Sequence, residues 1–182
     1  DATTLAIIGT GVQAHSHLEA LREVRDFKEV RAWSPTRANL EKFAHETGAE
    51  PMESAAAAAH NADVVVTVTA SHTPVIHVQD IAEGTHVISV GACRPTHREL
   101  DAALVARARL FVDSRAGALK EAGDILLAIA EGAFTANHIE AELGELPRRR
   151  TAQEVTIFKS LGMAVEDVAA AALAVERARA AG

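Results

Sequence analysis

Short apolar runs alternate along this chain with longer stretches in which apolar residues recur at helical spacing. The short runs predict β-strands over residues 5–8, 29–33, 63–69, 86–90 and 110–112, and a short strand that ends at Pro51 and Met52. The longer stretches predict helices over residues 12–24, 37–46, 55–59, 117–132 and 163–181. Residues 134–150, which include Pro147 and three arginines, follow neither pattern and are expected to form a loop or linker.

This alternation indicates the class of the fold. Strands that are separated by helices and short loops pair in parallel through right-handed crossovers. Residues 63–69 hold four valines and two threonines, a nearly continuous apolar run that is typical of a strand covered on both faces. We therefore expect an α/β fold, with a Rossmann-like doubly wound and mostly parallel sheet over residues 1–162 and a long C-terminal helix over residues 163–182.

Composition and charge exclude several classes of protein. The 182 residues include 18 Lys and Arg against 25 Asp and Glu, a formal net charge of −7, whereas nucleic-acid binding needs a basic face. The one cysteine excludes an intramolecular disulfide, and the nine histidines lack metal-ligand spacing, so we expect no metal. No apolar run approaches the ~20 residues that span a bilayer, and the first residues lack the basic segment of a signal peptide. We therefore expect a cytoplasmic protein with neither a nucleic-acid nor a membrane partner.

A glycine-rich turn directly follows the first predicted strand. Residues 9–14, GTGVQA, match the pattern G-x-G-x-x-G/A that opens a dinucleotide-binding unit. Gly9 permits the tight turn, Gly11 lets a pyrophosphate approach the backbone, and Ala14 lets the helix pack close to the strand. Because the first N–H groups of a helix lack internal partners, they are free to bind an anion. The alternative is a structural glycine turn. The residues expected to bind the dinucleotide are Gly9, Thr10, Gly11, Val12 and Gln13.

The end of the second predicted strand bears on which dinucleotide is bound. Enzymes that use NAD usually carry an acidic residue there, which binds the 2′-hydroxyl of the adenosine ribose. Here the strand is followed by Ser34, Thr36 and Arg37, and the guanidinium of Arg37 suits a 2′-phosphate. We therefore expect these residues to bind the cofactor, with NADP(H) favoured over NAD(H). In the alternative interpretation Arg37 is a solvated residue in the first turn of a helix, and Ser34 is in either case a candidate N-cap.

Five stretches of the chain together point to a family. They are residues 7–14 (IIGTGVQA), 33–37 (WSPTR), 87–101 (VISVGACRPTHRELD), 111–126 (FVDSRAGALKEAGDIL) and 156–171 (TIFKSLGMAVEDVAAA). In these stretches the chain resembles the C-terminal, NAD(P)-binding part of the ornithine cyclodeaminase/mu-crystallin family, and most of all its ketimine reductase branch. The resemblance extends over nearly the whole chain, and the later stretches are far more specific than a glycine-rich turn.

The resemblance implies an NAD(P)-dependent oxidoreductase that acts on small imino or amino acids. Members reduce the C=N bond of ketimines and cyclic imino acids or oxidatively deaminate small amino acids, with hydride carried by the nicotinamide. The family also implies a preceding substrate-binding and dimerisation part on which the C-terminal helix packs, so we expect a homodimer whose activity requires that part. The alternatives are a non-catalytic NADPH- or hormone-binding protein, a structural component of a dimer, and an ornithine cyclodeaminase.

Further site residues are expected where the parallel strands end, since ligands bind beyond the carboxyl ends of such strands. The loop after the strand at 63–69 is placed beside the adenosine, and the loop after the strand at 86–90 beside the nicotinamide. These loops contribute Thr69, Ala70, Ser71, Val90, Gly91 and Ala92.

Two more residues are singled out by the resemblance. Gly162 stands where the backbone of the family admits the nicotinamide. Cys93 stands where the cyclodeaminases have a catalytic aspartate, which argues against ornithine cyclodeaminase activity and makes Cys93 the catalytic candidate. The alternative is that Cys93 is a small buried packing residue.

Overall fold

Strands and helices alternate along the chain in the computed structural model, which describes residues 2–145, 148 and 150–182. The strands are β1 (Thr4–Ile8), β2 (Glu29–Trp33), β3 (Glu50–Pro51), β4 (Val64–Thr67), β5 (His86–Ser89), β6 (Arg109–Val112), β7 (Ile139–Glu142) and β8 (Thr156–Lys159). The helices are α1 (Val12–Val24), α2 (Arg37–Thr47), α3 (Ala55–Ala59), α4 (Ala102–Arg107), α5 (Arg115–Glu121), α6 (Gly123–Ala130) and α7 (Ala164–Ala180).

The described strands all pair in parallel in one sheet, in the order β3-β2-β1-β4-β5-β8-β6-β7. Ile8 of β1 lies opposite both Trp33 and Thr67, and Thr67 lies opposite Ser89, which in turn lies opposite Lys159. The carboxyl ends of these strands therefore meet along one edge. The chain order reverses between β1 and β4, which is where open sheets of this kind bind ligands. This architecture confirms the predicted α/β doubly wound sheet.

Helices cover β1 from both faces of the sheet. Leu5 and Ile7 pack with the buried side chains of α1 and α2, whereas Ala6 and Ile8 pack with α3 to α6. All four side chains are fully buried. Burying a leucine or isoleucine contributes about 1.5–3 kcal/mol, so the carboxyl end of β1 is a rigid support for the turn that follows.

The prediction of one helix over residues 117–132 is wrong, because α5 and α6 are separated there by Ala122. This residue has a non-helical backbone, with φ −76° and ψ 97°. At Gly123, the next residue, a Cβ atom would lie 1.8 Å from the carbonyl oxygen of His97. The loop that contains His97 packs closely on Gly123, and this contact fixes where α6 starts. The spacing of apolar residues within the two helices does not reveal the break.

The prediction of a loop over residues 134–150 is also wrong in part, since β7 lies within this range and pairs with β6. Pro147 and Arg149 of that range lie outside the described residues. The hydrophobic pattern also misses β8 and α4. The strands β7 and β8 have four residues each and include charged residues, so neither forms a continuous apolar run, and the six residues of α4 are too few to show a helical period.

The start of α2 differs from the expectation for Ser34. The helix begins at Arg37 after Thr36, and no side chain accepts a capping hydrogen bond. Ser34 is therefore not the N-cap. Because the ring of Pro35 disfavours helical backbone at the residue before it, Ser34 is kept outside the helix.

The C-terminal helix α7 makes no buried contact with the described part of the chain. Every residue from 164 to 182 is exposed, including Val165 at 64% and Val168 at 67% of their full accessible area. Acidic residues in its first turn, Glu166 and Asp167, favour the positive end of the helix dipole. Among the helices that the structure describes, none has the length and apolar character needed to cross a membrane.

Candidate functional site

The glycine-rich turn leaves β1 at Gly9 and enters α1 at Val12. Gly9 has φ +107°, and a Cβ atom there would lie 2.7 Å from the carbonyl oxygen of Val68, so only glycine fits. A Cβ at Gly11 would meet no atom within 4 Å. In the described part of the chain, the N–H groups of residues 10–13 have no hydrogen-bond partner. These donors, at the positive end of the α1 dipole, suit the turn to an anion.

Two cavities flank this turn and contain most of the residues expected from the sequence. The first, of about 350 Å³, opens between the ends of β1, β4, β5 and β8. It is lined by Gln13, Val68, Thr69, Ala70, Val90, Gly91, Cys93 and Leu161. The second, of about 290 Å³, lies between the turn and α2 and is lined by Thr10, Gly11, Val12, His15, Asn39, Lys42, Phe43 and Glu46. Loops that are far apart in sequence thus meet around the start of α1.

The first residue of α2, just after β2, carries a guanidinium that is already engaged by acidic side chains. Arg37 donates from Nε to Glu41 Oε1 at 2.7 Å and from Nη1 to Glu53 Oε1 at 3.4 Å. All three side chains are more than half exposed, so water screens these ion pairs and they are weak. Trp33, the last residue of β2, packs against the core.

The loop between β5 and α4 carries Cys93, whose side chain is exposed and lines the larger cavity. The alternative interpretation of Cys93 as a buried packing residue is therefore wrong. Its neighbour Ala92 is fully buried beneath the loop. In the same loop, the ring of His97 lies 3.8 Å from that of His72, which belongs to the loop after β4.

A buried carboxylate joins the loops after β4 and β5. Glu99 has no exposed surface, and its Oε1 accepts the N–H of Thr69 at 2.5 Å. Its Oε2 accepts the N–H of Gly91 at 2.7 Å and the hydroxyl of Thr67 at 3.0 Å. Burial, and next the charge of Asp124, raise the pKa of Glu99, while the hydrogen bonds from Thr69 and the charge of Lys159 act in the opposite direction.

A second buried carboxylate holds the backbone of Glu99. Asp124 Oδ1 accepts the N–H groups of Glu99 and Leu100 at 2.7 and 3.0 Å. Its Oδ2 accepts the hydroxyl of Ser89 at 2.9 Å and lies 3.4 Å from Lys159 Nζ. Because both partners of this ion pair are almost completely buried, each satisfies a charge that would otherwise be costly in the core.

A third carboxylate fixes the segment after β8, where Gly162 lies. Asp113 Oδ2 accepts the N–H of Leu161 at 2.5 Å and the N–H of Gly162 at 2.7 Å. Gly162 has φ +82°, and a Cβ there would meet no atom within 4 Å, so the segment is open on its outer side. Leu161 lines the larger cavity, which brings this segment to its edge.

The sequence analysis misses Glu99, Asp113, Asp124 and Lys159. The signal that was available is their position: each stands in or beside a short apolar segment within the stretches that carry the family resemblance. A charged residue in such a segment is rarely buried unless it is paired. Among the described residues, no group of three or more His, Cys, Asp or Glu side chains is placed to hold a metal ion.

Comparison with known proteins places this arrangement in a family. A model of the ornithine cyclodeaminase/mu-crystallin family matches residues 1–182. The chain is 46% identical to the ketimine reductase mu-crystallin of Rattus norvegicus over 174 residues, which cover 93% of this chain and 53% of that protein. It is 39% identical to a Delta(1)-pyrroline-2-carboxylate reductase of Bacillus cereus, over 98% of this chain and 58% of that protein.

A solved structure agrees with these matches. It is that of the Thermococcus litoralis Delta(1)-pyrroline-2-carboxylate reductase in complex with NADH and L-proline, with a TM-score of 0.93 and 37% identity. The match covers 100% of this chain and 60% of that one, so the chain spans somewhat more than half the length of the relatives it matches. The chain belongs to the ornithine cyclodeaminase/mu-crystallin family.

Proposed function

We propose that this chain binds the pyrophosphate of a nicotinamide dinucleotide at the turn formed by residues 9–13. One observation carries the proposal: unpartnered N–H groups at the start of α1 face open space at Gly11, where no side chain obstructs a phosphate. The residues present thus fit the group. The NADH in the related Thermococcus litoralis structure supports the same conclusion.

The adenosine half of the cofactor lies, in this proposal, between the ends of β2 and β4. Ser34, Thr36 and Arg37 bind the ribose, and Arg37 exchanges its exposed carboxylate partners for a 2′-phosphate. NADP(H) is therefore the favoured cofactor. The support is the absence of an acidic residue at positions 33–37, together with the weakness of the exposed ion pairs that now engage Arg37. Thr69, Ala70 and Ser71 border the adenosine.

The nicotinamide half lies along the larger cavity, which Val90 and Gly91 line, with Gly162 next to Leu161 at its edge. Ala92, predicted to bind the cofactor, is fully buried and supports the loop from beneath. We infer that the whole protein is an oxidoreductase that reduces the C=N bond of ketimines or cyclic imino acids, or oxidatively deaminates small amino acids. A bound nicotinamide supplies or accepts the hydride in that reaction. The residues of this chain bind and orient the ring, and Cys93, exposed in the cavity, offers the reacting centre a weak thiol donor. The names of the relatives support this substrate class.

We further propose that residues 163–182 form a separate element that packs on a substrate-binding and dimerisation part in a homodimer. The complete exposure of α7, with its four large apolar side chains, supports this role. Residues that grip the substrate are then supplied by that part, and activity requires it.

Replacement of Gly11 by alanine tests the cofactor site. The added methyl group meets no protein atom, so the Tm of Gly11→Ala should equal that of the wild type. The Kd for NADPH and for NADH should rise about tenfold or more, because the methyl group separates the phosphate from its charge-assisted donors. Gly9→Ala should lower both Tm and affinity, because its Cβ collides with the backbone. Unchanged affinity in Gly11→Ala would refute the proposed site.

The preference for NADP(H) is tested at Arg37. In Arg37→Ala the affinity for NADPH should fall about tenfold, since a charge-assisted pair to the 2′-phosphate is lost, while that for NADH should change little. Arg25→Ala is the matched control, because the guanidinium of Arg25 bonds to the carbonyl oxygen of Val24, away from the site. An equal loss for both cofactors would remove the 2′-phosphate role.

Turnover separates an enzyme from a non-catalytic binding protein. The complete protein, with its substrate-binding part, is mixed with NADPH and a panel of cyclic imines, and the absorbance of the reduced nicotinamide is followed. Oxidation of NADPH is expected with at least one imine. Tight cofactor binding without oxidation across the panel would favour the non-catalytic alternative.

A further inference from the structure

Glu99 lies directly behind the larger cavity without lining it, while two of its hydrogen-bond partners do. Thr69 and Gly91 both border the cavity, and each donates its backbone N–H to the Glu99 carboxylate. These two residues follow β4 and β5, the strands whose loops supply one wall of the cavity. The shape of that wall therefore depends on one buried side chain.

The two loops are pressed together at this point. A Cβ atom at Gly91 would lie 2.0 Å from the carbonyl oxygen of Thr69 and 2.5 Å from Glu99 Oε1. Two features allow the backbones of the β4 and β5 loops to come this close. Residue 91 is a glycine, and the N–H groups of Thr69 and Gly91 both donate to the same carboxylate. A carboxylate has two acceptor oxygens, one for each loop. Glutamine has one acceptor oxygen and one NH2 group, so one of the two N–H groups would face another donor.

Glu99 itself is held from a different part of the fold. Asp124, at the start of α6, accepts the N–H of Glu99 and is fixed by Ser89 in β5 and Lys159 in β8. The loop that carries Cys93 is consequently anchored near both of its ends, at Gly91 and at Glu99.

We propose that Glu99 is a positioning residue that sets the spacing of the β4 and β5 loops, and through them the placement of the nicotinamide and of the imine beside Cys93. This inference rests on the proposed function. It assigns Glu99 no contact with cofactor or substrate; the carboxylate acts through the N–H groups of Thr69 and Gly91.

The substitution Glu99→Gln tests the proposal, and Asp63→Asn is its matched control. Asp63 is also a carboxylate that accepts two backbone N–H groups, those of Thr3 and Thr4, but it does so at the opposite edge of the sheet. Both variants replace a carboxylate by an amide of the same shape. Thr67→Val supplies a second variant in case Glu99→Gln folds poorly, because it removes one donor to Glu99 and leaves the carboxylate in place.

The measurements are Tm, the Kd for NADPH, KM and kcat with a cyclic imine, and amide hydrogen exchange at Thr69 and Gly91. Glu99→Gln should raise the Kd and lower kcat about tenfold, with faster exchange at both amides. Thr67→Val should change them in the same direction by a smaller factor. Asp63→Asn should lower Tm while Kd and kcat stay at the wild-type values.

Three results would overturn the inference. If Glu99→Gln and Thr67→Val keep the wild-type Kd and kcat, Glu99 has a structural role alone. If Asp63→Asn changes Kd and kcat as much as Glu99→Gln does, the effect follows stability and not the position of the loops. If the wild-type protein binds no NADPH, the proposed function fails first, and the inference falls with it.

Discussion

His86 stands at the start of β5, with its imidazole partly buried and its Nδ1 2.8 Å from the hydroxyl oxygen of Thr156. Burial, followed by the nearby charge of Arg150, lowers the pKa of His86 from 6.5 to about 4. The folded protein therefore keeps this imidazole neutral at pH values where an unfolded chain binds a proton.

The stability of the fold should consequently depend on pH below neutrality. As the pH falls from about 6.5 to about 4, protonation of His86 in the unfolded chain favours unfolding, and this side chain should remove on the order of 3 kcal/mol of stability. Urea denaturation at several pH values measures the effect. His86→Gln should flatten this part of the curve, and an unchanged pH dependence in that variant would contradict the assignment.

Single residues differ in how well the sequence reveals them. Gly9 was predictable, because the turn between β1 and α1 has a local backbone requirement that glycine alone meets, and Gly11 was predictable from its place in the pattern G-x-G-x-x-G/A. Glu99, Asp124 and Lys159 were not, because a buried charge is stabilised by partners that come from distant segments. The sequence around each carboxylate does not predict which backbone N–H group donates to it.

The helix α4 shows how a short element is held by its first residue. Asp101 is its N-cap, and its Oδ1 accepts the N–H of Leu104 at 2.7 Å. Asp101→Ala should lower the free energy of unfolding by about 1 kcal/mol, since the N–H groups of the first turn lose an acceptor. Asp101→Asn retains a capping oxygen and should cost less. Equal destabilisation of the two variants, measured by urea denaturation, would show that the cap is not the source of the effect.

Longer elements were read from the sequence more reliably than short ones. The helices α1 and α2 lie where the pattern predicts them, because each has enough residues to show its period, whereas β4, with four residues, was recognised from its run of valines. The strand β8 lies in the middle of the sheet but has four residues, one of them a lysine whose charge is met by Asp124. Its assignment as a strand depends on pairing with β5 and β6.

The molecule as a whole divides into a packed sheet domain and the exposed helix α7. A chain that lacks residues 164–182 should unfold with nearly the same free energy, within about 1 kcal/mol, because no residue of this segment is buried. A chain that also lacks β8 should fail to fold, because Ile157 and Lys159 fill the centre of the sheet. Thermal unfolding compares the two, and a large loss of Tm in the shorter deletion would show that α7 packs on the domain.

The helices do not cover the two faces of the sheet equally. On the face opposite α3 to α6, the helices α1 and α2 pack over β1 and its neighbours, while Ile88 and Phe111 further along remain half-buried. They line a groove of about 550 Å³ together with the side chains of His86 and Arg109. This groove lies away from the glycine-rich turn, so its size does not mark it as the cofactor site.

The order of residues along the chain was sufficient for the features that arise from local interactions: the alternation of strand and helix, the parallel sheet, the glycine-rich turn and the family. The first three follow from spacing or backbone geometry within short segments, and the family follows from the resemblance of five stretches of the chain to its members. Folding in three dimensions was needed to break the helix at Ala122, to insert β8 between β5 and β6, and to bring Glu99 to Thr69 and Gly91. These features depend on contacts between residues far apart in the chain, whose free energy no local pattern records.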